Sequence, residues 1–232
     1  LRFKIASCVL VTFLLSTVYA LTIEDEFESF AILIPSNKNG MNKSYLSDFS
    51  SGLGALSFLQ GGSAEDNQTK TAIETIKSKD FFEALSEDEN FLKLFLNDKK
   101  DELTFEQKHN LFNSKLDVSS NNSSGTYKIG FLNTSPENSY KLVSFIIKSL
   151  NDYIRDKEVK KSSDQIIFLE ETLNKTQNPE IRNIISSLIG SNLQNLMISE
   201  KSNEYVFTFI DSPRIPENKS KPKRTLIVLF SV

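Results

Sequence analysis

The sequence predicts an α+β protein: a membrane-proximal mixed α/β base with a long projecting helical hairpin, flanked by two transmembrane helices, the second truncated. Three observations predict it. Ile5 to Ile23 is a run of 19 uncharged residues, and at 1.5 Å per residue it covers about 28 Å, close to the hydrocarbon thickness of a bilayer. Short alternating or apolar stretches near residues 26–34, 125–132 and 204–210 are bounded by Pro, Gly, Asn or Asp and read as strands. Between Pro136 and Pro179 no glycine or proline interrupts a helical spacing of apolar residues.

Composition narrows the function classes. The chain has 232 residues with 39% hydrophobic and 25% charged, enough to bury a core in one or two domains and too apolar for wholesale disorder. Cys8 is the single cysteine and His109 the single histidine. An intramolecular disulfide is excluded, and with one cysteine and one histidine a structural zinc site or a Cys–His catalytic pair is not expected. The body from Thr22 to Asn218 holds 21 basic and 30 acidic residues, a net −9. Such a surface repels phosphate backbones, so nucleic acid is not an expected partner.

The first apolar run has two readings. Arg2 and Lys4 precede it and Val18-Tyr19-Ala20 resembles a cleavage site, as in a signal peptide. The second apolar run, Thr225 to Val232, favours a retained helix, because a membrane hairpin explains both ends. The chain begins at Leu1 and stops within an apolar run, so it reads as a fragment. The Arg2/Lys4 flank places the N-terminus inside and the body outside the cytoplasm. Lys219, Lys221, Lys223 and Arg224 then meet anionic lipid on the outer side. That opposes the positive-inside tendency, to which long translocated domains are insensitive.

Along the body, Glu26–Ile34 reads as a strand ended by Pro35 and a Gly40 loop. Tyr45–Gln60 has helical spacing weakened by Gly52 and Gly54. Ser63-x-x-Asp66 opens a helical segment with Ile73, Ile76, Phe81, Phe82 and Leu85 on its faces, and Glu89–Asn97 adds a short helix. Asp98–Ser123 is polar and Asn-rich, with a weak helix near Thr104–Phe112. Gly125–Leu132 alternates as a strand. Ser135 caps, and Pro136 begins, a helix of about 38 residues, roughly 57 Å long, which must project or bundle. Gln177-Asn178-Pro179 breaks it, and a second helix runs back to about Lys201. Glu204–Ile210 is the last strand, and Pro213, Pro216 and Pro222 hold the chain extended beyond it.

No catalytic, cofactor-binding or metal-binding set emerges, so an enzyme is not expected. Gly52-x-Gly54 lacks the phosphate-loop fingerprint, and no Gly-x-Ser-x-Gly elbow occurs. His109, in Glu106-Gln107-Lys108-His109-Asn110, reads as a solvated surface residue. Glu170 and Glu171 are adjacent on a helix and point about 100° apart, so they do not converge. The 18 phenylalanines read as core rather than sugar-stacking platforms.

The run Glu204-Tyr205-Val206-Phe207-Thr208-Phe209-Ile210-Asp211-Ser212-Pro213-Arg214-Ile215-Pro216, followed by Lys221-Pro222-Lys223-Arg224 and an apolar stretch, carries a family likeness. It resembles the C-terminal signature of the bacterial chain-length determinant proteins, the Wzz-like polysaccharide co-polymerases. The N-terminal end is similar too: a first span, a Tyr19-Ala20-Leu21-Thr22 exit, then an acidic step into Phe30–Pro35. Ile166–Thr176 with Leu188, Ile189 and Met197 looks like the family's late helical region.

The resemblance implies a non-enzymatic inner-membrane protein without cofactors. Both termini would be cytoplasmic and the body periplasmic. It would form a homo-oligomeric ring and set the length of an O-antigen-like or related glycan made by a Wzy-type polymerase. Its partners would be itself, membrane lipids, that polymerase and the growing glycan. Tyr205, Asp211, Pro213, Pro216, Pro222, Lys223 and Arg224 are the signature and connector residues. The expected division is a first span over 1–23, the base beginning at 24–135, the hairpin over 136–201, the last strand and connector over 202–224, and the second span from 225–232. With 203 residues from Thr22 to Arg224, the body is short for an O-antigen regulator. The alternative from the residues alone is a periplasmic sensor domain of a two-span signalling protein.

Overall fold

The structure, a computed structural model, describes residues 21–36, 64–96, 103–121, 123–201 and 204–224. Residues 1–20 of the first expected span, the Tyr45–Gln60 helix and Thr225–Val232 lie outside the described residues. Among the described residues no helix is long and apolar enough to cross a membrane.

Four strands form one antiparallel sheet in the order β2-β3-β1-β4: β1 (Phe27–Pro35), β2 (Leu116–Asn121), β3 (Thr126–Asn133) and β4 (Phe207–Asp211). Six described helices accompany it: α1 (Ala64–Ile76), α2 (Lys79–Ser86), α3 (Glu89–Leu96), α4 (Phe105–Lys115), α5 (Pro136–Lys175) and α6 (Pro179–Lys201). β1 is central, with Ser29 opposite Phe131, Ala31 opposite Ile129 and Leu33 opposite both Tyr127 and Phe209. Ser29, Ala31 and Leu33 are buried while Phe30 and Ile34 are exposed, so the period of two assigns an inner and an outer face.

The inner face meets the first half of α5 and a cluster of phenylalanines. Phe82 of α2 lies 5.3 Å from Phe112 of α4 and 6.2 Å from Phe95 of α3, ring to ring. Phe95 and Phe112 reach Phe131 of β3 at 6.0 and 5.6 Å, and Phe91 stacks on Phe145 of α5 at 5.6 Å. Each fully buried phenylalanine stabilises by roughly 2–3 kcal/mol, and edge or offset pairs add roughly 0.5–1.5. The short helices thus serve mainly to carry aromatic rings onto the sheet.

α5 has 40 residues, about 60 Å at helical rise. Ser135 caps it, accepting from the Asn138 N–H at 3.4 Å, and Pro136 stands in its first turn. Its buried residues run from Ser139 to Asn151 with Ser162 beyond, so the remaining length extends past the sheet against α6. Asn178 starts α6 by accepting from the Glu180 and Ile181 N–H groups at 2.9 and 3.4 Å.

Three sequence expectations are corrected. The Asn-rich stretch ends in a strand: Leu116–Asn121 pairs along β3 from Thr126 to Phe131, which its two apolar residues alone did not signal. The segment up to Leu85 is two helices, because Lys77-Ser78 breaks it and Ser78 accepts from the Phe81 N–H at 3.2 Å as a new cap. His109 is not solvated. It is 7% exposed, faces the core from α4 beside Phe112, and its ring lies 5.6 Å from Phe82. A Thr104/Gln107 capping box fixes the phase of α4 and so turns His109 and Phe112 to one side.

Candidate functional site: the connector and the junction of the chain ends

The polypeptide after β4 is the connector, residues 212–224. β4 leaves its ladder with Asp211 opposite Ile32, and the next backbone rung joins Lys221 to Glu26. Five residues of β1, 27–31, thus face nine of the connector, 212–220. Prolines explain why no ladder fills the interval: Pro213 and Pro216 offer no N–H. The Lys221–Pro222 peptide is cis.

Side chains hold the connector where backbone rungs are missing. The Ser29 hydroxyl donates to the Arg214 carbonyl at 2.8 Å, and the Ser220 hydroxyl donates to Glu28 Oε2 at 3.1 Å. Arg214 donates to Asp211 at 3.2 Å across an exposed turn. Ser29 is itself fixed from the helix side. Its N–H donates to Ser139 Oγ at 2.7 Å, and that hydroxyl donates to the Phe131 carbonyl at 2.7 Å.

Beyond Ser220 the connector meets the residues that follow the first apolar run. The Glu26 N–H donates to the Lys221 carbonyl at 2.8 Å, and the Ser220 N–H donates to the Glu26 carbonyl at 2.8 Å. Asp25 Oδ1 takes two cations, Arg224 Nη2 at 2.9 Å and Lys219 Nζ at 3.2 Å. Arg224 also reaches the Ile23 carbonyl at 3.4 Å. These pairs are partly solvated, so each contributes about 0.2–1 kcal/mol. Their significance is geometric: residues about 200 positions apart in sequence are brought side by side.

The expected signature residues fall into two groups. Tyr205 is buried at 4% with Val206 and Phe207, and it belongs to the core. Asp211, Pro213, Pro216 and Pro222 lie along the connector, with Pro213 buried and Pro216 and Pro222 half-buried. Lys223 is exposed, whereas Arg224 engages Asp25 rather than only the lipid headgroups named for it in the sequence. Sequence reasoning did not single out Asp25, Glu28, Ser29, Lys128, Ser220 or Asn151. The readable signal for Asp25 is complementary charge: Glu24, Asp25 and Glu26 follow the first apolar run, and Lys219 to Arg224 precede the second.

On the outer face, Lys128 of β3 bridges Glu28 of β1 at 2.5 Å and Asp117 of β2 at 3.0 Å, and lies 4.8 Å from the Phe30 ring centroid. Burial works against the Lys128 ammonium. The hydrogen bonds and charges of Glu28 and Asp117 outweigh it and hold the pKa above the ordinary lysine value. Among the described residues, no group of three or more His, Cys, Asp or Glu side chains could hold a metal ion. The arrangement can hold residues 23–26 and 219–224 side by side. Its groups are carboxylates already engaged by cations, hydroxyls bonded to carbonyls, and prolines.

Residues 2–89 match the family model described as Wzz, chain length determinant protein. No curated protein sequence matches the chain. Among solved structures, the chain is similar to a full-length bacterial polysaccharide co-polymerase at 11% identity, covering 99% of this chain and 89% of that one, with a TM-score of 0.38. It is similar to a fragment of the polysaccharide co-polymerase WzzB from Salmonella Typhimurium at 15% identity, covering 84% and 99%, with a TM-score of 0.40. It is also similar to a Wzz dodecamer fitted to a cryo-EM map at 13% identity, covering 84% and 100%, with a TM-score of 0.33. The family match overlaps the N-terminal likeness read from the sequence, whereas the C-terminal signature lies outside it. The match ends at residue 89 and the signature occupies Tyr205 to Arg224, and both resemble chain-length determinant proteins.

Proposed function

We propose that this chain is a non-enzymatic regulator of polysaccharide chain length. In this reading two spans hold it in the inner membrane, its body lies in the periplasm, and it assembles with copies of itself as a co-polymerase. A Wzy-type polymerase and its growing glycan are the partners. The family match over residues 2–89 supports the class. The observation that carries the mechanism is the junction of Asp25 with Lys219 and Arg224, beside the Glu26–Lys221 rung. It supports a reading in which the two flanks that lead to the spans, residues 23–26 and 219–224, lie side by side. A displacement of the base would then reach both spans as a unit.

Self-assembly has its own support. α5 and α6 leave Ile167, Phe168, Ile181, Leu188, Leu193 and Met197 exposed, at 40–67%. Such residues on a projecting hairpin suit burial against further helices.

The experiment is deletion of the gene and separation of the cell's surface polysaccharide on a ladder gel. The modal length should disappear and return on complementation with the full-length gene. A ladder unchanged by deletion would overturn the reading and leave a sensor role to be tested.

A further inference from the structure

We infer that Lys128 is a positioning residue for the connector, acting through Glu28 on Ser220. A chain of contacts crosses the outer face of the sheet from edge to edge: Asp117 on β2, Lys128 on β3, Glu28 on β1 and Ser220 on the connector. Glu28 divides its two oxygens. Oε1 takes the Lys128 ammonium and Oε2 takes the Ser220 hydroxyl. Lys128 is itself held at two further points, the Asp117 carboxylate and the face of Phe30. Gly130 forms the floor. A Cβ there would stand 2.9 Å from Glu28 Oε1 and 3.3 Å from Phe30 Cβ, so the carboxylate occupies the room that the missing side chain leaves.

The dependence follows from the connector's unusual ladder. Between Asp211 and Lys221 the backbone register slips by several residues, so Ser220 is held at the far end of the slip, by its N–H on the Glu26 carbonyl and by its hydroxyl on Glu28. Ser220 and Lys221 together make the backbone bonds to Glu26, so the hydroxyl that Glu28 holds belongs to a residue of that rung. Without the ammonium, Glu28 Oε1 and Asp117 lose the cation they share, and water competes for both Glu28 oxygens. The Ser220 bond then loses a fixed acceptor. The consequence for glycan length rests on the function proposed above, but the positioning itself does not.

Amide hydrogen exchange on the full-length, detergent-solubilised protein tests it. In Lys128→Met, the amides of Glu26, Ser220 and Lys221 should exchange about tenfold faster, as loss of ~1.4 kcal/mol of local protection requires. Those of Leu142–Leu150 in α5 should keep their rates. Ser220→Ala should accelerate the same three amides. The double variant should do so no more than either single one, because both cut one chain. Lys128→Arg should restore protection. Wild-type protection in Lys128→Met, multiplying effects in the double variant, or acceleration spread equally into α5 would each overturn the inference. If exchange behaves as expected and the polysaccharide ladder of Lys128→Met is that of the wild type, the functional reading fails and the positioning role stands.

Discussion

Asn151 of α5 grips the peptide of Phe207 on both sides. Its Oδ1 accepts from the Phe207 N–H at 3.0 Å and its Nδ2 donates to the Phe207 carbonyl at 3.3 Å. The same Oδ1 accepts from the Val206 N–H at 2.8 Å. A side-chain amide has the donor and acceptor spacing of a peptide, so Asn151 supplies what a neighbouring strand would. It does so at the end of the core-facing stretch of α5, and it thereby ties the projecting helix to the strand that feeds the connector.

Replacement of Asn151 by alanine leaves two buried N–H groups and one carbonyl without partners. Each orphaned group costs about 1–3 kcal/mol. The expected loss is at least ~3 kcal/mol, read as a lower midpoint in urea unfolding at unchanged slope. A loss below ~1 kcal/mol would mean that β4 is held by other contacts.

Gly130→Ala tests the floor of the outer-face network. The added methyl group meets Glu28 Oε1 and also Phe30 Cβ and the Ser29 carbonyl oxygen, the last two both at 3.3 Å. The carboxylate can swing away, but the β1 backbone cannot, so the net cost should be about 1–2 kcal/mol despite alanine's smaller entropy loss. Gly125→Ala should also destabilise, for a different reason: Gly125 has φ of +64° and nothing near its Cβ, so its cost is backbone strain. Exchange at Ser220 separates the two, rising only in Gly130→Ala.

The ion bridge predicts an alkaline transition. Folding raises the pKa of Lys128, so the folded chain binds that proton more tightly than the unfolded chain. Its stabilisation is complete below the ordinary lysine value of 10.5 and is lost as pH rises through the higher folded value. The stability difference between wild type and Lys128→Met should therefore be level from neutral pH to about 10 and narrow above it. A difference that narrows from pH 9 downward would place the coupling elsewhere.

Elements built on local periodicity and punctuation were legible. β1, β3, α3, α5 and α6 fall within a few residues of where Pro35, Ser135, Pro136, Asn178 and the apolar spacing put them. β2 was not, because Leu116-Asp117-Val118-Ser119-Ser120-Asn121 has a weak alternation and draws its strand character from pairing with β3. The burial of His109 was hidden by polar neighbours, since the helix phase that turns it inward is set by Thr104 and Gln107. At the site, the prolines announced a connector, but what it touches could not be read. Ser29 and Arg214 are 185 positions apart, and Asp25 and Arg224 are 199 apart. Only charge complementarity between the two flanks hinted at the second pair.

In the proposed function the connector couples the base to the two expected spans and through them to polymer length. Simultaneous replacement of Pro213, Pro216 and Pro222 by alanine frees φ along the connector while sparing Asp25, Lys219 and Arg224. The variant should reach wild-type levels in the membrane. The decisive measurement is the polysaccharide length distribution it supports in a deletion strain, at matched protein levels. The account predicts a broadened or shifted distribution; one superimposable on that of the wild type would contradict it.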